Sequence, residues 1–484
     1  MTRKTLTPTA EQQAAIDLAM TGKSMAVEAL AGTGKTSTLG LIAEALGREG
    51  KRGLFLSFSK AIVTEAAERM PANVSCSTAH SLAFRAVGKN YAARLKAPRM
   101  RVWDIARFLG CTPFVVELDG NAGKRRLSDG AIATMAGRAI RNFTLSADDA
   151  PGPQHVPGLD VATYESNRAF KAHVAAYLDR YWADITDNHG RLPFTHDCYL
   201  KIWQLSGPRL NSDFVLYDEA QDCNPVMLAI VEENRDRCQL IFVGDRHQQI
   251  YSWRGAANAM AEAPVDGRTY LTQSFRFGAG VATVANVVLE RLGAEQLVQG
   301  NPALVSTYGP MDGDADAVLC RTNAELITQV MSEVEAGRRP GVVGGVDEIV
   351  AFAKAATDLM NGRSTTHPNL TGFDSWSDVL AYVESPACDD DDLARLVKLL
   401  NTHDPVKIIN VLSRCADVRD ADVVFSTAHK AKGLEWNRVR LAGDFDYDLN
   451  DAAPETLRLL YVAITRAKGH IDLGPMHAQL VEEA

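Results

Sequence analysis

The sequence predicts an α/β fold of two parallel sheets, each flanked by helices and each carrying a helical insertion. Three observations lead there. Apolar runs bounded by turns recur with helical stretches between them: SMAVEAL at 24–30, RGLFLSF at 52–58, FVLYDEA at 214–220, QLIFVGD at 239–245, DAVLCRT at 316–322 and ADVVFST at 421–427. Near-continuous apolar strands of this kind belong to parallel sheets covered on both faces. The runs fall into two groups, before and after about residue 275, and the stretches 89–205 and 341–418 are helical in pattern, as insertions into an α/β unit would be.

Composition bounds the class. At 484 residues the length suggests roughly three domains, and 46% apolar with 23% charged residues is ordinary for a cored protein. No apolar run approaches the roughly 20 residues that span a bilayer, and MTRKTLTPTAEQQ at the start lacks the apolar core of a signal peptide, so a cytoplasmic location and no membrane partner are expected. The 8 cysteines form no CxxC pair and no close cluster, which excludes a zinc ribbon or iron–sulfur site and leaves them as small core side chains. A net charge of −9 argues against indiscriminate coating of nucleic acid, while leaving room for a locally basic channel.

Along the first insertion, NAGKRR at 121–126 reads as a loop and DDAPGPQHVPG at 148–158 as an exposed linker. In the second, the acidic run CDDDD at 388–392 reads as a solvated helix start, since carboxylates are favoured at a helix N-terminus.

The chemistry concentrates in three strand ends. EALAGTGKTST follows a strand-like run and precedes LGLIAEAL, the strand–turn–helix context of a phosphate-binding loop. Gly32 and Gly34 let the backbone wrap phosphates, Lys35 reaches the outer phosphates and Thr36 offers a hydroxyl to Mg²⁺; the strict pattern has glycine where this chain has Ala29. In VLYDEAQD an apolar strand ends in Asp218 and Glu219, one carboxylate for the Mg²⁺ shell and one to orient or deprotonate an attacking water. FVGDRHQQIYSWRGA ends a strand in Gly-Asp and then offers Gln248, Tyr251, Trp253 and Arg254, with the aromatics in a polar turn that suits base stacking. ATP hydrolysis follows as the expected reaction.

In order and spacing these motifs resemble those of the UvrD/Rep-type helicases of superfamily 1A, from about residue 6 to 470, and GRLPFTHDCYLKIWQLS at 190–206 resembles the F-box DNA helicase branch, although no F-box segment is apparent. The resemblance implies two RecA-like motor domains in a 1A/1B/2A/2B arrangement: 1A at 1–88 and 206–275, 1B at 89–205, 2A at 276–340 and 419–484, and a reduced 2B at 341–418. ATP and Mg²⁺ are the implied cofactors, with Ala31, Gly32, Thr33, Gly34, Lys35, Thr36 and Ser37 around the phosphates and Gln12 reading the adenine edge. Thr36 and Asp218 take the metal, Glu219 is the general base and Gln248 senses the γ-phosphate.

From LTQSFRFG the resemblance implies a γ-phosphate arginine, Arg276, and an aromatic near adenine, Phe275; from LRLLYVAITRAK, a second arginine finger, Arg466. Their planar, permanently charged forks suit charge spread over a transferring phosphoryl group. The same resemblance assigns DNA contacts to Phe58, Lys60, Thr78, His80, Tyr251, Trp253, Arg254, Thr427, His429 and Lys430, with Gly433 and Glu435 on the nucleotide side. Two departures stand out: Ser37 replaces an arginine that would sandwich adenine, and few residues follow Arg466 where relatives carry a strand-separating hairpin. The implied function is an ATP-driven 3′→5′ translocase and helicase on single-stranded and tailed duplex DNA, in repair, recombination or replication and of bacterial or phage origin. The alternative is a motor or switch subunit beside a nuclease, recombinase or single-strand-binding protein.

The tetrapeptide STAH occurs twice, from Ser77 and from Ser426. Coincidence and a split metal site compete with a third account, two related folds that present the same turn. Both copies follow an extended run and precede a helical or basic segment, which favours the third.

Overall fold

The computed structural model describes residues 7–481 apart from 58, 98–99, 119–122, 160–161, 252–258, 366, 368, 371–372, 374 and 385–390. It divides into two compact units, one of Met1–Ala29 with Gly34–Leu271 and one of Leu30–Thr33 with Thr272–Ala484. No described helix is long and apolar enough to cross a membrane.

The first unit contains β1 (Met25–Ala29), β2 (Gly53–Ser57), β3 (Val74–Thr78), β4 (Phe114–Glu117), β5 (Lys124–Leu127), β6 (Phe214–Asp218), β7 (Gln239–Gly244) and β8 (Gly267–Leu271). Six of them make an all-parallel sheet in the order β3-β2-β6-β7-β1-β8. Its inner strands β1, β2 and β6 are buried at every residue, whereas the edge strands β3 and β8 are buried only near their C-terminal ends. Alternate side chains serve two cores. Met25, Val27, Phe55, Leu216 and Ile241 pack with Leu39, Ile42 and Leu46 of the helix Lys35–Arg48, while Ala26, Leu54, Val215 and Phe242 join the core of the helical insertion.

The insertion differs from expectation in two places. Residues 124–126, expected in a loop, belong to β5 and pair antiparallel with β4, because Val116 buries its side chain and gives the pair an anchor. The stretch 148–158 is no free linker. His155 and Val156 are buried, and the ammonium of Lys201, itself fully buried, donates to the carbonyls of Ser146 and Asp148.

The second unit contains β9 (Thr307–Tyr308), β10 (Ala317–Cys320), β11 (Pro340–Val342), β12 (Val423–Thr427), β13 (Trp436–Leu441) and β14 (Ala467–Asp472), again all parallel, in the order β11-β12-β10-β13-β14-β9. One face carries Val318, Cys320, Val423 and Phe425 into a core shared with Ile349, Phe352, Trp376, Val397 and Ile408 of the helical stretch before β12. Of the acidic run, Asp391 opens the helix Asp391–Thr402 and positions 388–390 lie outside the described residues. The α/β expectation with two parallel sheets holds.

One buried arginine holds a loop of the helical insertion. Arg94 Nη1 donates to the carbonyls of Asp184 (2.7 Å), Ile185 (2.9 Å) and Asp187 (2.6 Å), while Nη2 donates to Asp184 Oδ1 (3.1 Å) and Leu192 O (2.8 Å). This clamp closes the loop that leads into the helix His196–Leu205. Arg94→Ala removes these bonds and takes the positive charge away from the buried Asp184 carboxylate, which keeps the N–H groups of Arg191 and Leu192, and should cost about 3–5 kcal/mol in urea unfolding. Arg94→Lys should recover little of it, because a single ammonium cannot span the fork's acceptors.

Candidate nucleotide and nucleic-acid site

In the first unit the adjacent strands β6, β7 and β1 end at one edge of the sheet, and each hands its following residues to the site. Ligands of open parallel sheets gather at such C-terminal strand ends. Gly34 takes the left-handed conformation (φ 80°) as N-cap of the helix Lys35–Arg48 with no side chain capping it, so the first-turn N–H groups face the loop, as anion binding requires. Lys35 Nζ lies 3.0 Å from Glu219 Oε1. Burial works against the Lys35 charge, but the carboxylates of Glu219, Asp245 and Asp218 outweigh it and raise its pKa.

Asp218 is buried (2% exposed) at the end of β6, and its Oδ1 accepts the N–H of Glu219 at 3.0 Å. Burial first, then the neighbouring Glu219 charge, push its pKa up to about 7 against the pull of Lys35. Among the described residues Glu219 is the only non-glycine with positive φ (54°). For a residue with a long side chain that geometry is sparsely populated, and such residues cluster where function holds them. Beside the acid pair, Gln248 Nε2 donates to Asp245 Oδ2 at 2.7 Å.

Gln12 lies in the buried wall of the same unit. It completes a capping box with Thr9, and its Nε2 donates to Thr38 Oγ1 at 3.2 Å. Thr33 is buried, with its hydroxyl on Leu30 O; Thr36 is half-buried and Ser37 exposed on the first helical turn. Asp245, Gln221 and Thr38 take part in this network without having been foreseen. The Gly-Asp ending of β7 marked the first, the glutamine of DEAQD marked the second, and nothing in the sequence pattern marked the third.

Mg²⁺ is tested by the chemistry of the donors. Among the described residues no group of three or more His, Cys, Asp or Glu is placed to hold a metal. A dedicated protein cage is therefore not what these residues build. One hydroxyl from Thr36 and one buried carboxylate from Asp218, whose ionisation burial opposes, fit a hard cation that takes its remaining ligands from phosphates and water.

In the second unit Arg276, Glu435 and Arg466 come together. Arg276 Nε donates to Glu435 Oε2 (2.7 Å) and Nη1 to Thr465 O (3.0 Å). Burial would raise the Glu435 pKa, but Arg276, then Lys468 and Arg466, hold it below the usual range. Arg466 is 1% exposed and donates to Val462 O, Leu434 O and Thr465 Oγ1. Phe275 presents a half-exposed ring, and its N–H donates to Gly32 O at 2.7 Å. Ala31 N–H donates to the hydroxyl of Tyr461 in the same unit. Gly433 is exposed with φ 88°.

The two STAH copies form the same turn. Thr78 ends β3 and caps the helix Ala79–Ala86 through Ser81 N–H; Thr427 ends β12 and caps the helix Ala428–Ala431 through Lys430 N–H. In both, the preceding serine hydroxyl donates to the threonine carbonyl, at 3.2 Å from Ser77 and 2.9 Å from Ser426. In the second unit Thr427 sits at the C-terminal end of its strand, whereas Glu435 and Arg466 immediately precede β13 and β14, at the opposite edge of the same sheet.

His80 pairs with Asp197 at 3.1 Å, Lys430 faces Glu348 at 3.8 Å, His429 and Tyr251 are half-buried, and Lys60 is exposed at the start of the helix Lys60–Arg69. Phe58, Trp253 and Arg254 lie outside the described residues.

A glycine-rich loop, an acid pair and a glutamine at the ends of adjacent parallel strands are the arrangement of the P-loop class. An AAA-domain model matches residues 12–254, and a UvrD-like helicase C-terminal domain matches residues 422–471. The chain is 29% identical to F-box DNA helicase protein 1 of Schizosaccharomyces pombe, over 96% of this chain and 57% of that protein. It is 29% identical to F-box DNA helicase 1 of Gallus gallus, over 92% of this chain and 47% of that one. A probable DNA helicase of Mycoplasma pneumoniae is 25% identical over 53% of this chain and 42% of its own length. The chain belongs to the AAA-domain family and, within it, to the UvrD-like helicases of superfamily 1. It spans about half the length of the two F-box relatives. Those two are eukaryotic, and they lend no support to a bacterial or phage origin.

The raised Asp218 pKa has a measurable consequence. Its folded value lies above the unfolded value near 4, so the stability from the neutral carboxyl is full below about pH 4 and is lost as the pH rises through about 7. Asp218→Asn should therefore unfold at higher urea than the wild type at pH 8 in magnesium-free buffer, by on the order of a few kcal/mol. The gap should shrink steadily as the pH is lowered to 4.5.

Proposed function

We propose that the chain is the motor of an ATP-driven translocase and helicase that moves 3′→5′ on single-stranded DNA, opening tailed duplexes or stripping bound protein during repair, recombination or replication. The observation that supports it most is the constellation of Lys35, Asp218, Glu219 and Gln248 at adjacent strand ends, with the Lys35–Glu219 pair at 3.0 Å. Such a constellation is a hydrolytic site rather than a binding pocket alone, because a positioned carboxylate next to a phosphate-binding lysine is what activates water.

In this reading Lys35 and the loop 31–37 hold the phosphates, and Gln12 and Phe275 hold adenine. Thr36 and Asp218 hold Mg²⁺, which when bound neutralises phosphate charge. Glu219 releases Lys35 to the phosphates and accepts the proton of the water that attacks the γ-phosphorus, while the bond to the β–γ bridging oxygen breaks. Gln248 senses the γ-phosphate, Arg276 and Arg466 stabilise charge on the transferring oxygens, and Gly433 and Glu435 are on the nucleotide side. Thr78, His80, Lys60, Thr427, His429, Lys430 and Arg254 take the DNA backbone; Phe58, Tyr251 and Trp253 stack bases without reading them. A nuclease, recombinase or single-strand-binding protein is the partner class proposed.

Lys35→Ala and Glu219→Gln should each lower DNA-stimulated ATP turnover by about 100-fold or more, the usual worth of a positioned base or phosphate ligand. Unchanged turnover in both would sink the ATPase reading. On partial duplexes, displacement should require a 3′ tail, and release from a 5′-tailed substrate alone would overturn the polarity.

A further inference from the structure

Gln221 is fully buried two residues beyond Glu219, and the hydrolysis described above gives it no task. A buried amide must satisfy both of its ends. Its Nε2 donates to Glu219 Oε2, and its Oε1 accepts the N–H of Asp245 at 3.1 Å. Because Lys35 takes Glu219 Oε1, the two carboxylate oxygens are divided between the phosphate-loop lysine and this amide. Asp245 in turn accepts from His247 N–H (3.0 Å) and from Gln248 Nε2 (2.7 Å). A continuous chain of polar contacts thus runs Lys35–Glu219–Gln221–Asp245–Gln248, through one side chain that joins the ends of β6 and β7.

Two features of the backbone fit this. Glu219 holds a left-handed conformation that persists only where its surroundings over-determine it. At Gly244 a Cβ would run into Gln221 Oε1, so the end of β7 carries no side chain where the amide lies against it.

We propose that Gln221 is a positioning residue of the hydrolytic site: its amide fixes the Glu219 carboxylate in orientation and ties it to the Asp245–Gln248 turn, so that proton acceptance and γ-phosphate sensing keep one register. The inference rests on the ATPase reading. Its test is steady-state hydrolysis of MgATP with a thymidine homopolymer, for the wild type and for Gln221→Leu, Gln221→Glu and Gly244→Ala.

Gln221→Leu removes both contacts and should lower kcat by about 10- to 100-fold with KM for MgATP changed less than about twofold. Gln221→Glu keeps the size and the bond to Asp245 N–H but sets a carboxylate against Glu219, so it should fall further than Leu. An amide that only braced the core or Asp245 would give the reverse order. Gly244→Ala should resemble Gln221→Leu, and the double variant should be no slower than either single one, because both break the same contact. Urea midpoints and binding of a fluorescent ATP analogue report folding and nucleotide affinity independently.

Wild-type kcat in Gln221→Leu, a Gln221→Glu variant faster than Gln221→Leu, or losses carried by KM and by unfolding would each overturn the proposal. A wild-type protein that hydrolyses no MgATP would overturn the ATPase reading instead, which keeps the two failures apart.

Discussion

A parallel sheet covered on both faces leaves its polar chemistry only the ends of its strands, and the rest of this structure follows from that constraint. In the first unit β1, β2 and β6 are buried at every position, so no functional side chain can project from their middles into water. Strands β6, β7 and β1 lie side by side and end together, which brings Asp218, Asp245 and the loop before Lys35 to one edge although they are far apart in the chain. Crowding three carboxylates there raises the Lys35 pKa and burdens Asp218, and the ion pair between Lys35 and Glu219 is the electrostatic response. A bound phosphate and a cation offer the alternative response, and that exchange is the basis of the proposed chemistry.

The second unit uses the two edges of its sheet differently. Thr427 lies at the C-terminal end of β12, whereas Glu435 and Arg466 sit where β13 and β14 begin. The stretch from Ala428 to Glu435 therefore runs from one edge to the other, and a short helix followed by Gly433 at φ 88° accomplishes the crossing. The roles proposed for it, a polymer at one end and a nucleotide at the other, need a stretch that makes that crossing. The repeated STAH becomes a repeated solution to one local problem: a threonine buried at the end of a strand must cap the next helix, and the serine before it must satisfy its own buried hydroxyl. No metal needs to be invoked for the histidines that follow; His80 spends its ring on Asp197.

What the sequence made legible was whatever depends on local pattern. Apolar runs ending in Gly-Thr-Gly-Lys, Asp-Glu or Gly-Asp carry their meaning within ten residues, so strands, phosphate loop and acid pair could be located. Contacts between distant segments could not. The chain around 148–158 looks like linker by composition, yet Lys201, more than forty residues later, folds its ammonium onto it. NAGKRR at 121–126 reads as loop, and residues 124–126 enter a strand because β4 supplies a buried valine opposite. Arg466 could be placed in its motif, but its burial against Val462, Leu434 and Thr465 depends on how the helix Pro454–Ile464 meets β14, which no motif encodes.

Glu28 shows the same point from the other side. A carboxylate inside the apolar run SMAVEAL is a local contradiction, and such contradictions mark a distant partner. The residue is 7% exposed and its carboxylate meets two arginines, Arg246 (3.2 Å from Nε to Oε2) and Arg268 (2.9 Å). A buried ion pair is weak evidence for stability, because desolvation offsets most of the attraction. Its geometric effect is firmer. Arg246 follows Asp245 directly, so the bidentate pair anchors the Asp245–Gln248 turn to β1 while Asp245 N–H is anchored from β6 through Gln221. The turn that carries Gln248 is therefore held from both neighbouring strands. The role proposed for Gln248, registering the presence or loss of one phosphate, needs that rigidity, since a turn free to drift by an ångström would lose the contact whether or not the phosphate had left.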